Sequence, residues 1–360
     1  MTDDDHMAHA LRLGQRGLGR TWPNPAVGCV IVRDGLIIGR GWTQAGGRPH
    51  AEVIALAQAK DASGATAYVT LEPCAHHGNT PPCAEALIAA RLGRIVTALT
   101  DPDSRVAGKG HARLRAAGIA VTERVLSPEA RAAHAGFLKR ITRGLPYVTL
   151  KLATSLDGRT ATASGESRWI TGAGARRAVH ALRLNHDAVM IGSGTARADD
   201  PDLTARDIGA SHQPVRIVVD SHLRHSPHSR LGLTARDTPV WLVHTAAAAA
   251  ISRSAWQAQG ATLIEVADQD GHADLTAALR TLAARGLTRI LCEGGGQLAA
   301  ALIRAGLVDA VILHSAGALI GDEGHPALGP VALAELARAP RLKLVSQCRL
   351  GDDVETRWTL

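Results

Sequence analysis

The sequence predicts an α/β protein that folds as two domains. Its 360 residues suggest two domains, since one domain accounts for roughly 150 residues. In both halves, apolar runs of strand length alternate with helical patterns, which is typical of sheets covered by helices. The pattern restarts after Gly144 and Pro146, which end the last helix of the first half. We therefore expect domains at residues 1–145 and 146–360.

The first half has the predicted order β–β–α–β–α–β. An amphipathic segment through about residue 16 and a loop lead to two apolar runs, and Asp34-Gly35 between these runs predicts a hairpin. Pro49 predicts a helix start, because proline is favoured at the first helical position. The strands are predicted at 27–33, 36–42, 67–71, 94–99 and, more briefly, 119–124. Further helices are predicted behind Pro81-Pro82 and from a Ser127 cap, with Pro128 first, to Gly144.

The second half repeats the alternation of strands and helices. Its predicted strands are 147–153, 186–191, 215–220, 240–244, 289–293 and 310–315. Its predicted helices are 173–184 and 297–305. The final segment, 342–360, reads as an antiparallel hairpin that closes one edge of a sheet.

Charge and cysteine content restrict the function. The net charge of +7 and the pI near 9.6 favour anionic partners: nucleic acid, acidic lipid or phosphorylated metabolites. Without a long block of like charges or an aromatic RNA-binding motif, no nucleic-acid tail is indicated, and phosphorylated small molecules remain candidates. The five cysteines are widely spread, the N-terminus lacks an apolar signal region, and no stretch approaches the roughly 20 apolar residues of a membrane span. We expect a cytoplasmic protein without a disulfide framework.

Four residues of the first half predict a zinc centre. His50 and Glu52 lie at a helix start, Cys74 follows a strand, and Cys83 lies at the start of a second helix. One histidine and two cysteines suit zinc, and three protein ligands leave the fourth tetrahedral position for water. Glu52 is not needed as a ligand, so it is free to move protons between that water and a substrate. This is the arrangement of a zinc deaminase.

Other interpretations of this segment stay open. His76 or His77 could replace His50 as a ligand, although their loop favours substrate contact or solvent exposure. Cys29 lies in an alternating apolar strand and is expected in the core. A purely structural zinc site would normally need a fourth ligand and gives Glu52 no role.

Glycine-containing turns follow three strands of the second half. They are GSGT (192–195), EGGGQ (293–297) and SLDGR (155–159). Such turns can hold a pyrophosphate on backbone N–H groups, but each one alone is more typical of a tight structural turn. Together with the basic charge, Arg183 and Arg206, they indicate a phosphorylated cofactor or substrate.

Several longer motifs carry a resemblance to a known family. They are NPAVG (24–28), HAE (50–52), EPCAHHGNTPPC (72–83), DPDSRVAGKG (101–110), GLPYVTLKLATSLDGRTATASGESRWITG (144–172), DDPDLTAR (199–206) and EGGG (293–296). On these motifs the chain resembles, nearly end to end, the bifunctional riboflavin-biosynthesis deaminase/reductases of bacteria.

The resemblance implies a cytidine-deaminase-like α/β/α first domain and a dihydrofolate-reductase-like second domain. The first would use zinc to deaminate 2,5-diamino-6-(5-phosphoribosylamino)pyrimidin-4(3H)-one. The second would use NADPH to reduce the ribosyl chain of 5-amino-6-(5-phosphoribosylamino)uracil to ribityl. The implied partner is therefore a phosphorylated pyrimidine, with no nucleic acid or membrane, in a homo-oligomer (dimer or tetramer).

The resemblance also assigns roles to residues. His50, Cys74 and Cys83 would hold zinc, and Glu52 would be the proton shuttle. The residues that would contact the pyrimidine or its phosphoribosyl group are Asn24, His76 and the loop 77–80. The residues that match NADPH positions are Thr154, Trp169, Thr171, Thr195, Asp199, Ser221, Gly294, Gly295 and Gly296. The residues that match substrate positions are Ser167, Arg183, Leu203, Arg206 and Glu293, whose arginines would bind phosphate in bidentate fashion.

Two features depart from wider patterns, and two other functions stay open. Asn79 stands where the family usually has Arg or Lys, and the PC-x8-C spacing is longer than the PC-x-x-C of nucleic-acid base deaminases. For Lys151, a role in reduction and a structural ion pair are both open.

A tRNA or DNA base deaminase with an accessory domain is one alternative function, and a zinc-stabilised binding protein is another. The long cysteine loop argues against the first, and the second leaves Glu52 without a role.

Overall fold

The structure is a computed structural model that describes residues 1–75, 81–104 and 107–360. It divides into two compact units, Met1–Leu145 and Pro146–Leu360. Within the described ranges, every helix is too short or too polar to span a lipid bilayer.

The first unit is a mixed sheet with helices packed on it. Its elements are α1 (Asp3–Gly14), β1 (Gly28–Arg33), β2 (Leu36–Trp42), α2 (Ala51–Ala59), β3 (Thr66–Val69), α3 (Cys83–Ala89), β4 (Arg94–Thr97), α4 (Lys109–Ala116), β5 (Ala120–Thr122), α5 (Ser127–Ala133) and α6 (Ala135–Arg143). The strand order is β2-β1-β3-β4-β5; β1 is antiparallel to both neighbours, and β3, β4 and β5 are parallel. The predicted hairpin is confirmed, with positive φ at Asp34 and Gly35. Cys29 is fully buried in the core, as predicted.

Two glycines of β2 bring α2 close to the sheet. A Cβ atom on Gly41 would lie 2.1 Å from the carbonyl oxygen of Ala51, and one on Gly39 would lie 2.2 Å from that of Ala55. Any larger residue at either position would therefore push α2 away from the sheet. Since His50 and Glu52 lie at the start of α2, these glycines fix how deeply the two side chains sit.

Some predicted helix boundaries are wrong. α2 begins at Ala51 with His50 as its N-cap, so Pro49 precedes the helix instead of occupying its first position. Ser127 is already helical, and its hydroxyl donates to the Ala98 carbonyl instead of capping the helix. The single helix predicted up to Gly144 is two helices, because the backbone of buried His134 leaves helical geometry (φ −94°, ψ 8°). Helix α4 is not predicted, since its sequence shows little apolar periodicity.

The second unit is built on a large, mostly parallel sheet. Its strands are β6 (Tyr147–Thr154), β7 (Arg159–Ala161), β8 (Ala188–Gly192), β9 (Val215–Val219), β10 (Val240–His244), β11 (Thr262–Glu265), β12 (Asp268–Gln269), β13 (His272–Ala273), β14 (Arg289–Cys292), β15 (Ala310–Ser315), β16 (His325–Pro326), β17 (Lys343–Leu350) and β18 (Asp353–Thr359). Its helices are α7 (Ala173–Leu184), α8 (Ser193–Asp199), α9 (Arg230–Leu233), α10 (Ala250–Ala258), α11 (Leu275–Ala284) and α12 (Gly296–Arg304).

The strand order of the large sheet is β11-β10-β9-β8-β14-β6-β15-β18-β17. All neighbouring pairs from β11 to β15 are parallel, and the hairpin β17–β18 is antiparallel and forms one edge, as predicted. The central strands are buried on both faces and read in the sequence as continuous apolar runs, which is why they are predicted well. Helices α8 to α11 and strand β11 are not among the predicted elements.

Candidate functional site

Three side chains of the first unit form a compact donor cluster. His50 is the N-cap of α2, Cys74 lies in the loop after β3, and Cys83 is the first residue of α3. The His50 Nδ1 atom lies 3.2 Å from Cys83 Sγ and 3.7 Å from Cys74 Sγ, and the donor atoms all lie within 4.8 Å of one another. In the described part of the chain, no other group of three or more His, Cys, Asp or Glu side chains meets this criterion. One nitrogen and two sulfur donors at this spacing fit a tetrahedral zinc ion.

The surroundings of the two cysteines shift their pKa values in opposite directions. Hydrogen bonds from the Cys83 thiol, from the His50 ring and from the Cys83 backbone N–H outweigh burial and lower the pKa of Cys74 to about 4. The same contact with Cys74, together with burial, raises the pKa of Cys83. Thiolate is the form of cysteine that binds metal, so the lowered pKa of Cys74 favours metal binding.

Glu52 lies beside the cluster without joining it. It is in the first turn of α2, is 4% exposed and lines the same cavity as His50 and Cys74. Burial raises the pKa of Glu52, and the charge of His50 only partly opposes this. A buried carboxyl group with a raised pKa holds a proton more readily than a solvated one, which suits a general acid–base role.

Glu72 holds the loop that carries Cys74, a role that the sequence analysis misses. Its buried carboxylate accepts four backbone hydrogen bonds, from Asp101, Gly108, Gly110 and His111, at 2.9–3.2 Å. These donors include the first turn of α4, so the carboxylate also complements the positive end of that helix. Glu72 thus ties the Cys74 loop to the loop after β4.

The first cavity has a volume of about 270 Å³ and opens onto the cluster. Its lining includes Asn24, which the resemblance assigns to the substrate. His76 and the loop 77–80 lie outside the described residues, so their predicted substrate contacts stay predictions. Gly47 makes room for Asn24, because a Cβ on this glycine (φ +84°) would lie 2.0 Å from the Asn24 Nδ2 atom. The full lining is Pro23, Asn24, Pro25, Val27, Thr43, Arg48, His50, Glu52, Leu71, Glu72, Cys74, Asp101, Asp103, Phe137, Arg140 and Ile141.

A second cavity, of about 510 Å³, lies in the second unit. It is found where β6, β8 and β14 end, which is where open α/β sheets bind ligands. The predicted residues that line it are Ser167, Trp169, Thr171, Arg183, Thr195, Asp199, Leu203, Arg206 and Glu293. The predicted residues outside its lining are Thr154, Ser221, Gly294, Gly295 and Gly296. The lining also contains arginines to which the resemblance gives no role: Arg168, Arg176 and Arg230.

Two of the predicted substrate residues bind each other. Arg183 donates from Nε and Nη2 to the two carboxylate oxygens of Glu293, at 2.6 and 2.8 Å, and both side chains are 12% exposed. Nη1 of Arg183 donates to the Thr204 carbonyl at 2.8 Å. Glu293 therefore occupies this edge of the guanidinium, and bidentate binding of phosphate by Arg183 stays a prediction. Burial alone would raise the pKa of Glu293, but the charge and hydrogen bonds of Arg183 lower it.

Lys151 projects from β6 into the same wall of the second cavity. Burial lowers its pKa, and the charge of Glu293 partly opposes this shift. Among the described residues, no carboxylate lies within 4.0 Å of its ammonium group, so the structural ion pair is not formed. A role of Lys151 in reduction stays a prediction.

The loops after β8 and β14 fit a nucleotide cofactor. They lie side by side, since the Gly192 N–H donates to the Gly294 carbonyl at 3.0 Å. A Cβ on Gly295 would lie 2.9 Å from Thr195 Oγ1, so the bare backbone at the start of α12 is needed here. Trp169, 70% exposed, offers a flat surface at the cavity, and Arg176 lies 4.7 Å above its ring. Glycine turns at a helix start and an exposed indole suit phosphates and planar rings respectively.

Comparisons with known proteins agree with both units. Residues 146–356 match the family model of the RibD C-terminal domain, and residues 1–99 match the cytidine and deoxycytidylate deaminase zinc-binding region. The riboflavin biosynthesis protein RibD of Escherichia coli K12 is 44% identical, with 98% of each chain covered. The chain belongs to the RibD family. Its relatives also include the RibD of Haemophilus influenzae, which is 41% identical over 98% of this chain and 96% of that one.

Solved RibD structures share the complete architecture. RibD from Acinetobacter baumannii has a TM-score of 0.89 and 39% identity, with 99% of this chain and 98% of that chain covered. The deaminase/reductase from Thermotoga maritima has a TM-score of 0.86 and 30% identity over the same shares. The predicted α/β fold, with a deaminase-like first unit and a reductase-like second unit, is confirmed.

Membership of the RibD family settles the class of function. The chain is a bifunctional enzyme of riboflavin biosynthesis with deaminase and reductase activity. Its two family matches support zinc and NADPH as cofactors, and the donor cluster agrees with the zinc-binding description. The alternative of a nucleic-acid base deaminase with an accessory domain loses its basis, because RibD proteins match the whole length of the chain, the second unit included.

Proposed function

We propose that the first unit deaminates 2,5-diamino-6-(5-phosphoribosylamino)pyrimidin-4(3H)-one and that the second unit reduces the ribosyl chain of the product, 5-amino-6-(5-phosphoribosylamino)uracil, to ribityl with NADPH. The observation that carries the deaminase half is a three-donor cluster, of which His50 and Cys74 line one cavity together with the buried Glu52. The Thermotoga maritima protein, which is similar over 99% of this chain, bears the names of these two activities.

In the first cavity, His50, Cys74 and Cys83 would hold the zinc ion. When bound there, zinc supplies the Lewis acidity that activates water at neutral pH. Glu52 accepts a proton from the attacking water and delivers a proton to the departing amino group. A C–O bond forms at the ring carbon, the C–N bond breaks, and ammonia leaves. Asn24 lies in the same lining and orients the pyrimidine.

In the second cavity, we assign the cofactor to the side of Trp169, Thr171, Thr195 and Asp199, next to the glycine turns. NADPH supplies the hydride for the reduction. The substrate contacts Ser167, Leu203 and Arg206. The ion pair of Arg183 and Glu293 forms part of the wall of the same cavity. We assign the accompanying proton to Lys151, because burial lowers its pKa and thereby favours proton release.

The decisive test is to supply the diaminopyrimidine ribotide with and without NADPH and to identify the products by mass. Without NADPH we expect release of ammonia and accumulation of the uracil ribotide; with NADPH we expect the ribityl product. A zinc chelator should stop ammonia release and leave the reduction of supplied uracil ribotide unchanged, since the described residues of the second unit offer no comparable donor cluster. Loss of both activities on chelation, or ammonia release without bound zinc, would contradict the assignment.

We also propose that the chain forms a homo-oligomer through β17. This strand is last in the order of its sheet, so within the described residues one of its edges has no neighbouring strand. Leu344 and Val345 on this strand are 50% and 62% exposed, and the pairing with β18 is irregular between Leu344 and Ser346. A long exposed edge with apolar residues pairs readily with another chain, and a second copy of this chain offers the same edge in return.

Light scattering coupled to size-exclusion chromatography is expected to give at least twice the mass of one chain. Val345→Lys should lower this mass, because a charge on the strand disfavours edge pairing. Ile251→Lys is the matched control, since Ile251 is 81% exposed on α10, away from β17. A monomeric wild-type protein, or equal effects of the two variants, would contradict the proposed interface.

A further inference from the structure

We propose that His314 is a positioning residue for Lys151 in the reduction. This role rests on the proposed function, in which Lys151 provides the proton that accompanies the hydride. In that step the C1′ carbon of the ribosyl chain gains the hydride of NADPH, its bond to the ring oxygen breaks, and this oxygen takes up the proton from Lys151 Nζ. Lysine has a flexible four-carbon side chain, so a partner is needed to hold its ammonium group in one direction.

The register of the large sheet places His314 beside Lys151. In the parallel pair β6–β15, the Cα partner of His314 is Ala153, and that of Ile312 is Lys151. Paired residues, and residues two apart on one strand, project to the same face of a sheet. His314 therefore shares its face with Lys151 and Ala153, both of which line the second cavity. The His314 side chain itself is fully buried.

Glu355 holds His314 from the neighbouring strand on the other side. It is the Cα partner of His314 on β18, and β15 lies between β6 and β18 in the sheet. Nε2 of His314 lies 2.8 Å from Glu355 Oε2, and Nε of Arg357 donates to Glu355 Oε1 at 2.7 Å. Burial alone would raise the pKa of Glu355, but the hydrogen bonds from Arg357 and His314 lower it. Glu355 is thus an ionised acceptor, and Nε2 of His314 carries a proton.

The second ring nitrogen of His314 is an acceptor without a partner. Burial lowers the pKa of His314, and the hydrogen bond with Glu355 opposes this only in part. The ring is therefore neutral at pH 7, and Nδ1 offers a lone pair. Nδ1 is buried and has no hydrogen-bond partner within the described ranges of the chain. Because buried polar atoms nearly always have a partner, this atom is suited to a donor from the adjoining cavity.

Lys151 is the donor that fits this acceptor. The charges of two arginines act on Lys151 or His314, but Arg183 and Arg357 each donate to a glutamate. Lys151 makes no hydrogen bond or ion pair with the residues that the structure describes. Its charge is among the causes that lower the pKa of His314, so the two side chains are within electrostatic reach. An ammonium group has three N–H donors, so one can bind Nδ1 while another faces the substrate.

The test compares two substitutions that each keep one nitrogen position of the ring. In His314→Gln, the amide group reaches the position of Nε2 and can donate to Glu355, but the acceptor at Nδ1 is lost. In His314→Asn, the amide oxygen lies near the position of Nδ1, and the contact with Glu355 is lost. The complete chain is assayed by NADPH oxidation with supplied uracil ribotide.

We expect His314→Gln to lower the reductase kcat about 10- to 100-fold, a loss typical of a misplaced reacting group. The KM values for the ribotide and for NADPH should stay unchanged, because His314 lies outside the cavity lining. His314→Asn should retain several-fold more of the wild-type kcat than His314→Gln, since it keeps the acceptor.

His186→Gln is the matched control. His186 is a buried histidine of the same unit that precedes β8, whereas the cavity lies where β8 ends, and it is outside the lining. Its reductase kcat should equal that of the wild type. Thermal unfolding and ammonia release verify that each variant is folded. If His314→Gln does not fold, Glu355→Gln takes its place: its amide can donate to Nε2 and move the ring proton to Nδ1, so kcat should again fall at unchanged KM.

The outcomes separate positioning from a structural role. If His314→Gln keeps the wild-type kcat while His314→Asn loses it, the ring serves only to bind Glu355, and the proposal is overturned. Equal losses in both variants, or a rise in KM in place of the fall in kcat, overturn it as well.

Lys151→Met distinguishes this failure from failure of the proposed function. If this variant reduces the ribotide at the wild-type rate, the assignment of the proton to Lys151 fails, and the role of His314 fails with it. If Lys151→Met is inactive while His314→Gln and Glu355→Gln keep the wild-type kcat, only the role of His314 fails.

Discussion

Replacing Glu52 by glutamine is expected to reduce ammonia release by about three orders of magnitude, within the usual range for loss of a general acid–base group. Glutamine keeps the shape of the side chain but cannot take up and release a proton. Since Glu52 is not one of the three donor residues, zinc content should stay at the wild-type level. Ammonia release by a coupled assay, zinc by elemental analysis and NADPH oxidation with supplied uracil ribotide measure the three quantities.

Glu129→Gln is the control for this variant. Glu129, like Glu52, lies in the first turn of a helix of the first unit, but it is exposed and outside the cavity. It should leave both activities intact. A Glu52→Gln enzyme with wild-type ammonia release would mean that the cluster is a structural zinc site, and the deaminase assignment of these residues would fail.

The donor cluster is the part of the site that the sequence predicts best. His50, Cys74 and Cys83 each occupy a recognisable local position, at a helix start or a strand end, and such positions can be inferred from neighbouring prolines and apolar runs. Because the chemistry of zinc demands a small set of donor types, few residues compete for the role. The helix boundary is less predictable: Pro49 suits the first helical position, yet the structure places it before the N-cap.

Contacts between distant segments could not be predicted from the sequence. Phe137, Arg140 and Ile141 lie on the amphipathic helix α6 and line the first cavity. The sequence of α6 predicts an apolar face but does not show which cavity that face lines. Glu72 precedes its partner Gly110 by 38 residues, and Arg183 precedes Glu293 by 110 residues. Local patterns carry no record of such pairs, which is why resemblance assigns both Arg183 and Glu293 to the substrate, while the structure pairs them with each other.

Arg183→Met is expected to reduce reductase kcat/KM at least about 100-fold while ammonia release stays near wild type, because Arg183 belongs to the second unit. Its removal leaves the Glu293 carboxylate 12% exposed and without its bidentate partner. Breaking a buried pair in this way typically costs about 3–5 kcal/mol, a large part of the roughly 5–15 kcal/mol that holds a domain together. Thermal unfolding of the second unit should therefore shift to lower temperature. Arg177→Met, an exposed position on the same helix, is the control.

The double variant Arg183→Met/Glu293→Gln separates stability from chemistry. It removes the unpaired carboxylate, so part of the lost stability should return, since replacing both partners of a buried pair costs far less than replacing one. Reductase activity should stay low, because the cavity wall that contains Lys151, Arg183 and Glu293 has lost both of its paired charges. If activity returned together with stability, the pair would serve only to hold the fold, and neither residue could be a substrate contact.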